Sequence, residues 1–532
     1  MNRTEIEMTS GGFYPTHRTP VFARNMVAAS QPLAAQAGLR ILAEGGNAID
    51  AALATAICLT VVEPTGNGVG SDAFAIFWDG DTLHGLNASG RAPAAWTEAQ
   101  FDGGVPQRGW DAVTVPGAVS AWVMMSRDHG RLPFERLFAP AIGYARDGFA
   151  VSPTIAGLWA KGAKLLSTQP GFAECFMPDG RAPRAGELFR NPALADTLEL
   201  IADTNGEAFY RGALAEKIEA AARANDASLN AEDMAAHEAD WCGTIQMPFR
   251  GTELHEIPPN GQGIAALIAL GLTDRTAIAD HGPDDPMAIH LQIEAMKLAL
   301  ADAAAHVGDP ARMAFGPEAL LVADYLDRRA GLIDPAHAGD PGAGAPTAGG
   351  TVYLTAADAE GRMVSFIQSN YMGFGAGVVV PGTGIHMQNR GAGFVAERGH
   401  PAAVGPSRRP FHTIIPGFVT TGGAPEMSFG VMGGPMQAQG HLQMMLRTML
   451  WGQDPQAASD APRWQVISGR RVAVEDAMPD ATVAALEKLG HDVARGGTAA
   501  EFGFGGAQLI RRSGAGYVAG SDHRKDGYAA GF

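Results

Sequence analysis

The sequence predicts an α+β fold in which layers of helices enclose layers of strands. Residues 132–330 are mostly helical patterns interrupted by Pro and Gly, and the clearest of them, 286–305, carries one apolar face. From residue 351 onward the apolar period shortens to that of strands, with helical segments interleaved. Because helices and strands both bury one face against a partner layer, this mixture is typical of a layered sandwich with the strands inside.

Composition narrows the class of protein. The chain has 532 residues and 46% hydrophobic content, which is ample for a large core. Its net charge is −17 without any basic tract, which argues against binding of nucleic acid or an anionic membrane surface. The longest uncharged apolar run, 51–62, is shorter than the roughly 20 residues of a membrane span. Since residues 1–10 also lack a signal-peptide pattern, we expect a soluble, cytoplasmic protein.

Neither a metal nor a cofactor is predicted. The three cysteines, Cys58, Cys175 and Cys242, are widely spaced and form no CxxC pair, so reduced structural thiols are expected. The glycine-rich stretch 63–71 looks loosely like a phosphate loop. However, it follows a helix pattern and lacks the Lys-Ser/Thr pair, which favours a tight turn. Lys297 is interpreted as a solvated or paired lysine, not as a Schiff-base former.

The elements of the first part follow from caps, turns and periodicity. Ser30 is expected to cap a first helix, a Gly45-Gly46-Asn47 turn ends it, and a second helix covers 48–62. Asp79-Gly80-Asp81-Thr82 predicts a hairpin turn. The further expected elements are strands at 73–78 and 83–88, a helix containing Trp122, and the helix 286–305, which Gly308-Asp309-Pro310 stops.

The elements of the last part are mainly strands. A helix is expected after Gly433-Gly434-Pro435, and others begin at Asp454-Pro455 and Asp480. The expected strands are 351–357, 363–371, 378–381, 384–388, 413–419, 427–431, 507–510 and 516–519.

A flexible tract of small residues, 336–350, ends at the first of these strands. We interpret the bond between Gly350 and Thr351 as a cleavage point. The cut would leave Thr351 with a free α-amino group beside its own hydroxyl. That pairing is one established way to activate a threonine nucleophile.

Several motifs occur in a fixed order along nearly the whole chain, from about residue 27 to 531. They are LAEGGNAIDAA (42–52), VPGAVSAW (115–122), PPNGQG (258–263), IHLQIEAMKLA (289–299), GDP (308–310), GTGI (382–385), Arg409-Pro410, Gly433-Gly434 and DAPR (460–463). In these motifs and their order the chain resembles the γ-glutamyltransferase family of N-terminal-nucleophile (Ntn) hydrolases, and in the pocket residues described below it resembles the acylase branch of that family.

The resemblance implies a four-layer αββα sandwich made as one precursor. The precursor cuts itself into a large subunit, 1–350, and a small subunit, 351–532, which stay together as an αβ heterodimer around a single core; further dimerisation is left open. The Thr351 hydroxyl then attacks the amide of a small-molecule substrate, with the α-amine as base. An α-amine has an ordinary pKa of about 7.7–8.0, which suits that role. An acyl-enzyme forms and is released to water or to an amine.

Partners of the nucleophile are implied in the same way. Ser369 stands where the family carries a second hydroxyl that hydrogen-bonds the nucleophile. The backbone N–H groups of Gly433 and Gly434 would bind the oxyanion, helped by the dipole of the helix that follows them. Taken alone, Gly-Gly at a strand-to-helix junction is more often only a tight turn.

The substrate pocket departs from the family pattern. The family's glutamyl-binding arginine aligns with Ser89, although Arg91 lies two residues on. Its aspartate, which receives a substrate ammonium, aligns with Gly393. Losing that charge partner would cost on the order of 2–5 kcal/mol if the ammonium were buried.

Four further positions complete the predicted pocket. The family's asparagine aligns with Tyr371, next to Asn370, and its glutamine aligns with Arg390. Its paired serines align with His412 and Thr413. Arg91, Arg390 and His412 could therefore receive substrate carboxylates, or the arginines could pair with protein carboxylates.

Three functions remain open at this point. Hydrolysis of a γ-glutamyl-like amide or of a dicarboxylic monoamide, such as a glutaryl or oxalyl amide, is favoured. A true γ-glutamyltransferase or glutathione hydrolase is the first alternative. An unprocessed, non-catalytic binding homologue is the second, because a fold alone does not fix function.

Overall fold

The computed structural model describes residues 18–341, 350–496 and 503–532. The helices of these segments are α1 (Pro32–Ala43), α2 (Ala48–Val62), α3 (Ala118–His129), α4 (Ala139–Asp147), α5 (Pro153–Leu166), α6 (Phe172–Phe176), α7 (Pro192–Asp203), α8 (Glu207–Arg211), α9 (Ala213–Arg223), α10 (Ala231–Ala235), α11 (Gly263–Thr273), α12 (Pro286–His306), α13 (Ala323–Ala330), α14 (Met436–Met445), α15 (Pro455–Asp460) and α16 (Asp480–Lys488).

The strands are β1 (Val21–Ala23), β2 (Met26–Ala29), β3 (Asp72–Trp78), β4 (Leu83–Asn87), β5 (Phe149–Ala150), β6 (Leu188–Phe189), β7 (Asp240–Trp241), β8 (Ile245–Phe249), β9 (Thr252–Glu256), β10 (Gly350–Ala357), β11 (Met363–Tyr371), β12 (Gly417–Thr421), β13 (Ala424–Met432), β14 (Trp464–Ser468), β15 (Arg471–Val474), β16 (Asp492–Arg495), β17 (Gly506–Ser513), β18 (Gly516–Ser521) and β19 (Tyr528–Gly531).

Two sheets of seven strands each form the centre of the molecule. One has the order β1-β18-β17-β13-β12-β9-β8 and the other β19-β2-β10-β11-β3-β4-β7. Each sheet contains strands from before and after residue 351, so the predicted subunits would share both sheets. The division of the chain at 350/351 itself stays a prediction.

Strand alternation builds the layers. Along β2, Met26 and Ala28 belong to the apolar cluster between the two sheets. The intervening Val27 and Ala29 belong to a second cluster, which the helices α1 and α2 cover. A third cluster packs α11, α12 and α14 on the outer face of the other sheet. Because successive side chains of a strand point to opposite faces, the result is helix, sheet, sheet, helix, and the predicted αββα sandwich is confirmed.

Most predicted elements are present, with two corrections. Ser30 does not cap α1: its hydroxyl donates to Glu63 Oε2 at 2.5 Å, and Gln31 accepts the N–H groups of Leu33 and Ala34 instead. The stretches 378–381 and 384–388 are not strands, because they meet only in an isolated bridge between residues 379 and 386.

The remaining expectations concern the tract 336–350, the first residues of the chain and the location of the protein. Of the tract 336–350, residues 342–349 lie outside the described residues, as does the segment 1–17. Within the described segments, no helix is both long and apolar enough to cross a membrane. The cytoplasmic location stays a prediction.

Candidate active site

Thr351 lies near the start of β10, in the middle of its sheet. It is 1% exposed, and the pairing of β10 with β11 is irregular between Gly350 and Val352. This irregularity displaces Thr351 from the regular ladder. The Thr351 hydroxyl donates to Ser369 Oγ at 3.2 Å, so the structure brings together the two hydroxyl residues singled out in the sequence.

The turn 63–71 lies against this threonine. A Cβ added to Gly66 would meet the Thr351 carbonyl oxygen at 3.2 Å, which is closer than a side chain normally approaches. The carbonyl of Gly66 accepts the N–H of Asn370, and the Ser71 hydroxyl donates to Asn370 Oδ1 at 2.7 Å. The glycines here thus allow close backbone approach, as the interpretation of this stretch as a tight turn predicts.

Gly433 and Gly434 form the junction between β13 and α14. Both have positive φ angles, 118° and 61°, which is the region that favours glycine. Gln437, in the first turn of α14, donates through Nε2 to Thr351 Oγ1 at 3.4 Å and accepts the N–H of Ile415. The start of α14 therefore lies beside the predicted nucleophile, where the helix dipole favours negative charge.

Arg390 is a charged group in direct contact with one hydroxyl of this pair, that of Ser369. It is 0% exposed, and its two terminal nitrogens donate to Ser369 Oγ at 3.3 Å and Thr413 Oγ1 at 3.0 Å. Its guanidinium lies 4.3 Å from the ring centroid of Tyr371, a cation–π distance. Burial lowers the pKa of Arg390 to about 10, against the opposing charge of Asp72, so it remains a cation at neutral pH.

Two buried donors in this group have no hydrogen-bond partner among the described residues. They are Arg390 Nε and Asn370 Nδ2. An unpaired buried donor costs about 1–3 kcal/mol, and more when it is charged. Each of the two donors could therefore take an added acceptor.

His412 contacts the carboxylate of Asp72, a residue that the sequence did not single out. Its Nε2 is 3.0 Å from Asp72 Oδ2, and its Nδ1 accepts the N–H of Ile414. Burial, with the charges of Arg390 and Arg409, holds the pKa of His412 well below its usual value. Both ring nitrogens are engaged and the ring is neutral, so it supports Asp72 in this structure.

Asp72 is the acidic group whose charge opposes that of Arg390. Burial raises its pKa to about 7, opposed by Arg390 and by the N–H groups of Gly90 and Gly117, which donate to Oδ1. It is the strand partner of Ser369, across β3 and β11. In the sequence, Asp72 directly precedes the apolar pattern of a buried strand, and nothing in that pattern predicts this role.

Arg91 lies at the surface of the protein. Its side chain is 48% exposed, 3.7 Å from Asp309 Oδ2, and it donates to the Ser407 carbonyl. It lines a surface cavity of about 210 Å³ with Arg409 and Asp240. Its contacts with protein oxygens match the alternative of a protein-paired arginine, and its predicted role in substrate binding stays untested.

A separate cavity of about 190 Å³ is lined in part by residues that contact the predicted site. It is bordered by Tyr371, whose N–H donates to Ser369 Oγ, and by Gln262, whose amide donates to the Gly434 carbonyl. Gly393, which the resemblance aligned with the family's aspartate, also lines it, together with apolar residues such as Leu300 and Phe411. Its 13 lining residues include no carboxylate.

A threonine near the start of a central strand of an αββα sandwich, beside a glycine junction and a helix start, defines the class of Ntn hydrolases. The γ-glutamyltranspeptidase family model matches residues 34–532, and the chain belongs to that family. This confirms the predicted enzyme class, an amide-cleaving hydrolase or acyltransferase.

Named relatives and solved structures agree with this assignment. The chain is 38% identical to the oxamate amidohydrolase proenzyme of Klebsiella pneumoniae, over 97% of this chain and 100% of the relative. It is 35% identical to the glutathione hydrolase-like YwrD proenzyme of Bacillus subtilis, over the same shares. The crystal structure of cephalosporin acylase from Bacillus halodurans superimposes with a TM-score of 0.94 at 46% identity, over 99% of both chains.

Proposed function

We propose that this chain is the precursor of a threonine amidohydrolase that acts on a small amide bearing a carboxylate close to the scissile carbonyl. Cleavage between Gly350 and Thr351 frees the α-amine. That amine takes the Thr351 hydroxyl proton as the oxygen attacks the amide carbonyl carbon. The tetrahedral oxyanion forms beside the N–H groups of Gly433 and Gly434, and its collapse expels the leaving amine with the proton.

The second half of the reaction restores the threonine. The acyl group rests on Thr351 as an ester until the α-amine removes a proton from water. The resulting attack releases the carboxylic acid and returns the proton to Thr351 Oγ1. Ser369 and Gln437, both within hydrogen-bond distance of that oxygen, hold it in position throughout.

The single observation that carries the substrate assignment is the buried guanidinium of Arg390. It touches Ser369, which in turn touches Thr351, so the cation lies no farther from the nucleophile than two hydrogen bonds. With Nε unpaired among the described residues, a carboxylate one or a few bonds from the scissile carbonyl would supply the acceptor that this guanidinium lacks. Oxamate and short dicarboxylic monoamides fit this description, and the name of the Klebsiella relative supports it.

The experiment compares charged and neutral substrates of equal shape. The processed protein is assayed with oxamate against oxamide, and succinamate against succinamide. We expect a higher kcat/KM for the charged member of each pair. Arg390→Gln should lower kcat/KM for that member by about 10²–10³-fold, the loss expected when a buried charge pair loses one partner. It should leave the neutral member much less affected.

Controls separate this effect from general damage. Arg390→Lys keeps the charge but not the planar fork, and should fall between the wild type and the glutamine variant. Arg91→Ala tests the exposed alternative, and a selective loss there would move the carboxylate site to Arg91. An unchanged charged-to-neutral ratio in Arg390→Gln would refute the assignment.

A second candidate function follows from the apolar cavity beside Tyr371. Its lining suits an apolar acyl or amine portion, as an acylase would require, and its lack of a carboxylate disfavours a substrate ammonium. A comparison of glutaryl anilide with γ-glutamyl anilide tests this. Better turnover of the γ-glutamyl compound would support a true γ-glutamyltransferase or glutathione hydrolase instead.

The remaining parts of the proposal concern assembly and location. Two subunits, 1–350 and 351–532, would stay joined, and the proenzyme names of the relatives support processing. The three cysteines form no disulfide, which supports a cytoplasmic location.

A further inference from the structure

We propose that Asp79, His84 and His129 form a binding site for a divalent transition-metal ion such as Zn²⁺. They lie where the β3–β4 hairpin meets the end of α3. Each residue offers one ligand atom, and the three atoms lie within 4.8 Å of one another. Two imidazoles and one carboxylate are a donor set that suits Zn²⁺ and its neighbours in the first transition row.

The distances fit an ion of that size. Asp79 Oδ2 is 2.8 Å from His84 Nε2 and 3.7 Å from His129 Nδ1. A tetrahedral ion with bonds of about 2.0–2.1 Å separates its ligand atoms by about 3.3 Å, so small shifts of these side chains would complete the site. Water would occupy the fourth position.

Each ligand is held by contacts outside the triad. Asp79 Oδ1 accepts the N–H groups of Asp81 and Thr82, which turns Oδ2 toward the two rings. His84 stacks on Phe77 at a centroid distance of 5.0 Å, and the His129 ring packs edge-on against the same Phe77 at 4.9 Å. Supporting contacts of this kind pre-orient metal ligands.

The site is also accessible. The side chains of Asp79 and His84 are each 25% exposed, and that of His129 is 18% exposed, so an ion can enter from solvent. A bound ion would link the hairpin, which continues the strand of Asp72, to the C-terminus of α3. This places it at the end of β3 opposite the predicted nucleophile, and it takes no part in the proposed reaction.

Among the described residues, one other group brings three such donors together: His290, Glu294 and His491. There the two rings already bond each other at 2.8 Å, and the Lys297 ammonium lies 2.7 Å from Glu294 in a buried position. An ion would have to displace that ammonium. In the described segments neither lysine nor arginine is paired with Asp79 of the hairpin triad, which is therefore the better site.

Zn²⁺ binding to the untagged, processed protein tests the proposal. After treatment with a chelator and dialysis, titration calorimetry should show one saturable ion per chain and a raised Tm. His84→Ala and His129→Ala should each weaken binding by at least about 10-fold, and the double variant should abolish it. Asp79→Asn should also weaken binding, because it removes the anionic ligand. It keeps a side chain that can accept from the N–H groups of Asp81 and Thr82, so the turn should be preserved.

Trp241 supplies an independent reporter. Its ring centroid lies 5.4 Å from that of His129 and 6.0 Å from that of His84. Ni²⁺ should therefore quench its fluorescence, and Trp241→Phe should remove the quench while Zn²⁺ binding persists. A quench that persists in this variant would place the ion elsewhere and overturn the proposal.

Matched controls complete the test. His523 and Asp460 form an exposed pair with only two donors, at 3.1 Å, so His523→Ala should leave binding unchanged. Amidase turnover by the His84 and His129 variants should equal that of the wild type, which shows that they fold. Binding that survives the double variant, or that His491→Ala abolishes, would refute the hairpin site.

Discussion

Arg390 is the single residue that most distinguishes this site. The chain places a fully buried cation beside Ser369, at the position that the resemblance aligned with a glutamine of the family. Burying a charge is costly unless partners surround it. Here Asp72 supplies an opposing charge, and Ser369, Thr413 and the Tyr371 ring supply contacts, but Nε keeps no partner among the described residues. A substrate carboxylate would supply that partner, which is why the substrate comparison depends on this residue.

Replacing the predicted nucleophile is the most direct test at this scale. Thr351→Ala should leave a single uncut chain and reduce amidase activity by about 10⁴-fold or more, because both the hydroxyl and the processing step are lost. Electrophoresis and turnover of an anilide substrate measure the two effects. A Thr351→Ala chain that still separates at 350/351 would show that another group performs the cleavage.

At the scale of elements, the DAPR motif joins the end of α15 to β17 and the loop after β18. Arg463, from this motif, donates to Asp522 Oδ2 at 2.6 Å, and both side chains are almost fully buried. The N–H of Ala507 donates to the same oxygen, and Arg524 donates to Oδ1. The motif thus has a structural role that ties three neighbouring segments to one carboxylate.

Asp522→Asn should lower the free energy of unfolding at pH 7 by about 3–5 kcal/mol, because it removes the carboxylate paired with the buried Arg463 and leaves Arg524 with Glu475 alone. Burial alone would raise the pKa of Asp522, but Arg463 and Arg524 hold it well below its usual value. A folded pKa below the unfolded one stabilises the protein above about pH 4, and this stabilisation is lost as the pH falls further. The difference between wild type and variant should therefore narrow toward pH 3.

Urea unfolding at pH 7 and at pH 3 measures this difference. Asp480→Asn is the matched control, because its carboxylate pairs with Arg495 while fully exposed. Such pairs contribute little to stability. Equal unfolding free energies for the two variants would contradict the role assigned to the Asp522 cluster.

At the scale of the whole molecule, a cut at 350/351 would not divide the fold into two bodies. β10, which would begin the small subunit, pairs with β2 of the large subunit on one side and with β11 on the other. β12 likewise pairs with β9, and the last strand, β19, with β2. Separating the two chains would break backbone ladders in both sheets and expose the cluster between them.

The processed protein should therefore run as two bands in denaturing electrophoresis, at about 36 and 19 kDa when 55.3 kDa is scaled by residue count. In size exclusion without denaturant the two chains should co-elute as one species, whose apparent mass also reports any further dimerisation. Elution of the two chains as separate species would contradict the shared sheets. One intact band after prolonged incubation would favour the unprocessed binding homologue.

The sequence by itself determined the layered α+β class, the family, most helices and strands, and Thr351 with Ser369 as candidate partners. Those features are local or lie in ordered motifs: strand and helix periods, glycine junctions and a threonine at the start of a strand. The tertiary structure alone brought Gln437 to Thr351, set His412 on Asp72, and placed Arg390 rather than Arg91 beside the nucleophile.

The physical reason is that the residues that contact each other in the site lie far apart in the sequence. Asp72 and His412 are far apart in sequence, as are His84 and His129, and periodicity carries no information about which strands become neighbours. Sheet pairing and the packing of the two sheets decide which polar side chains are buried together. Burial then decides which of them remain charged, which stay neutral and which keep an unpaired donor for a substrate.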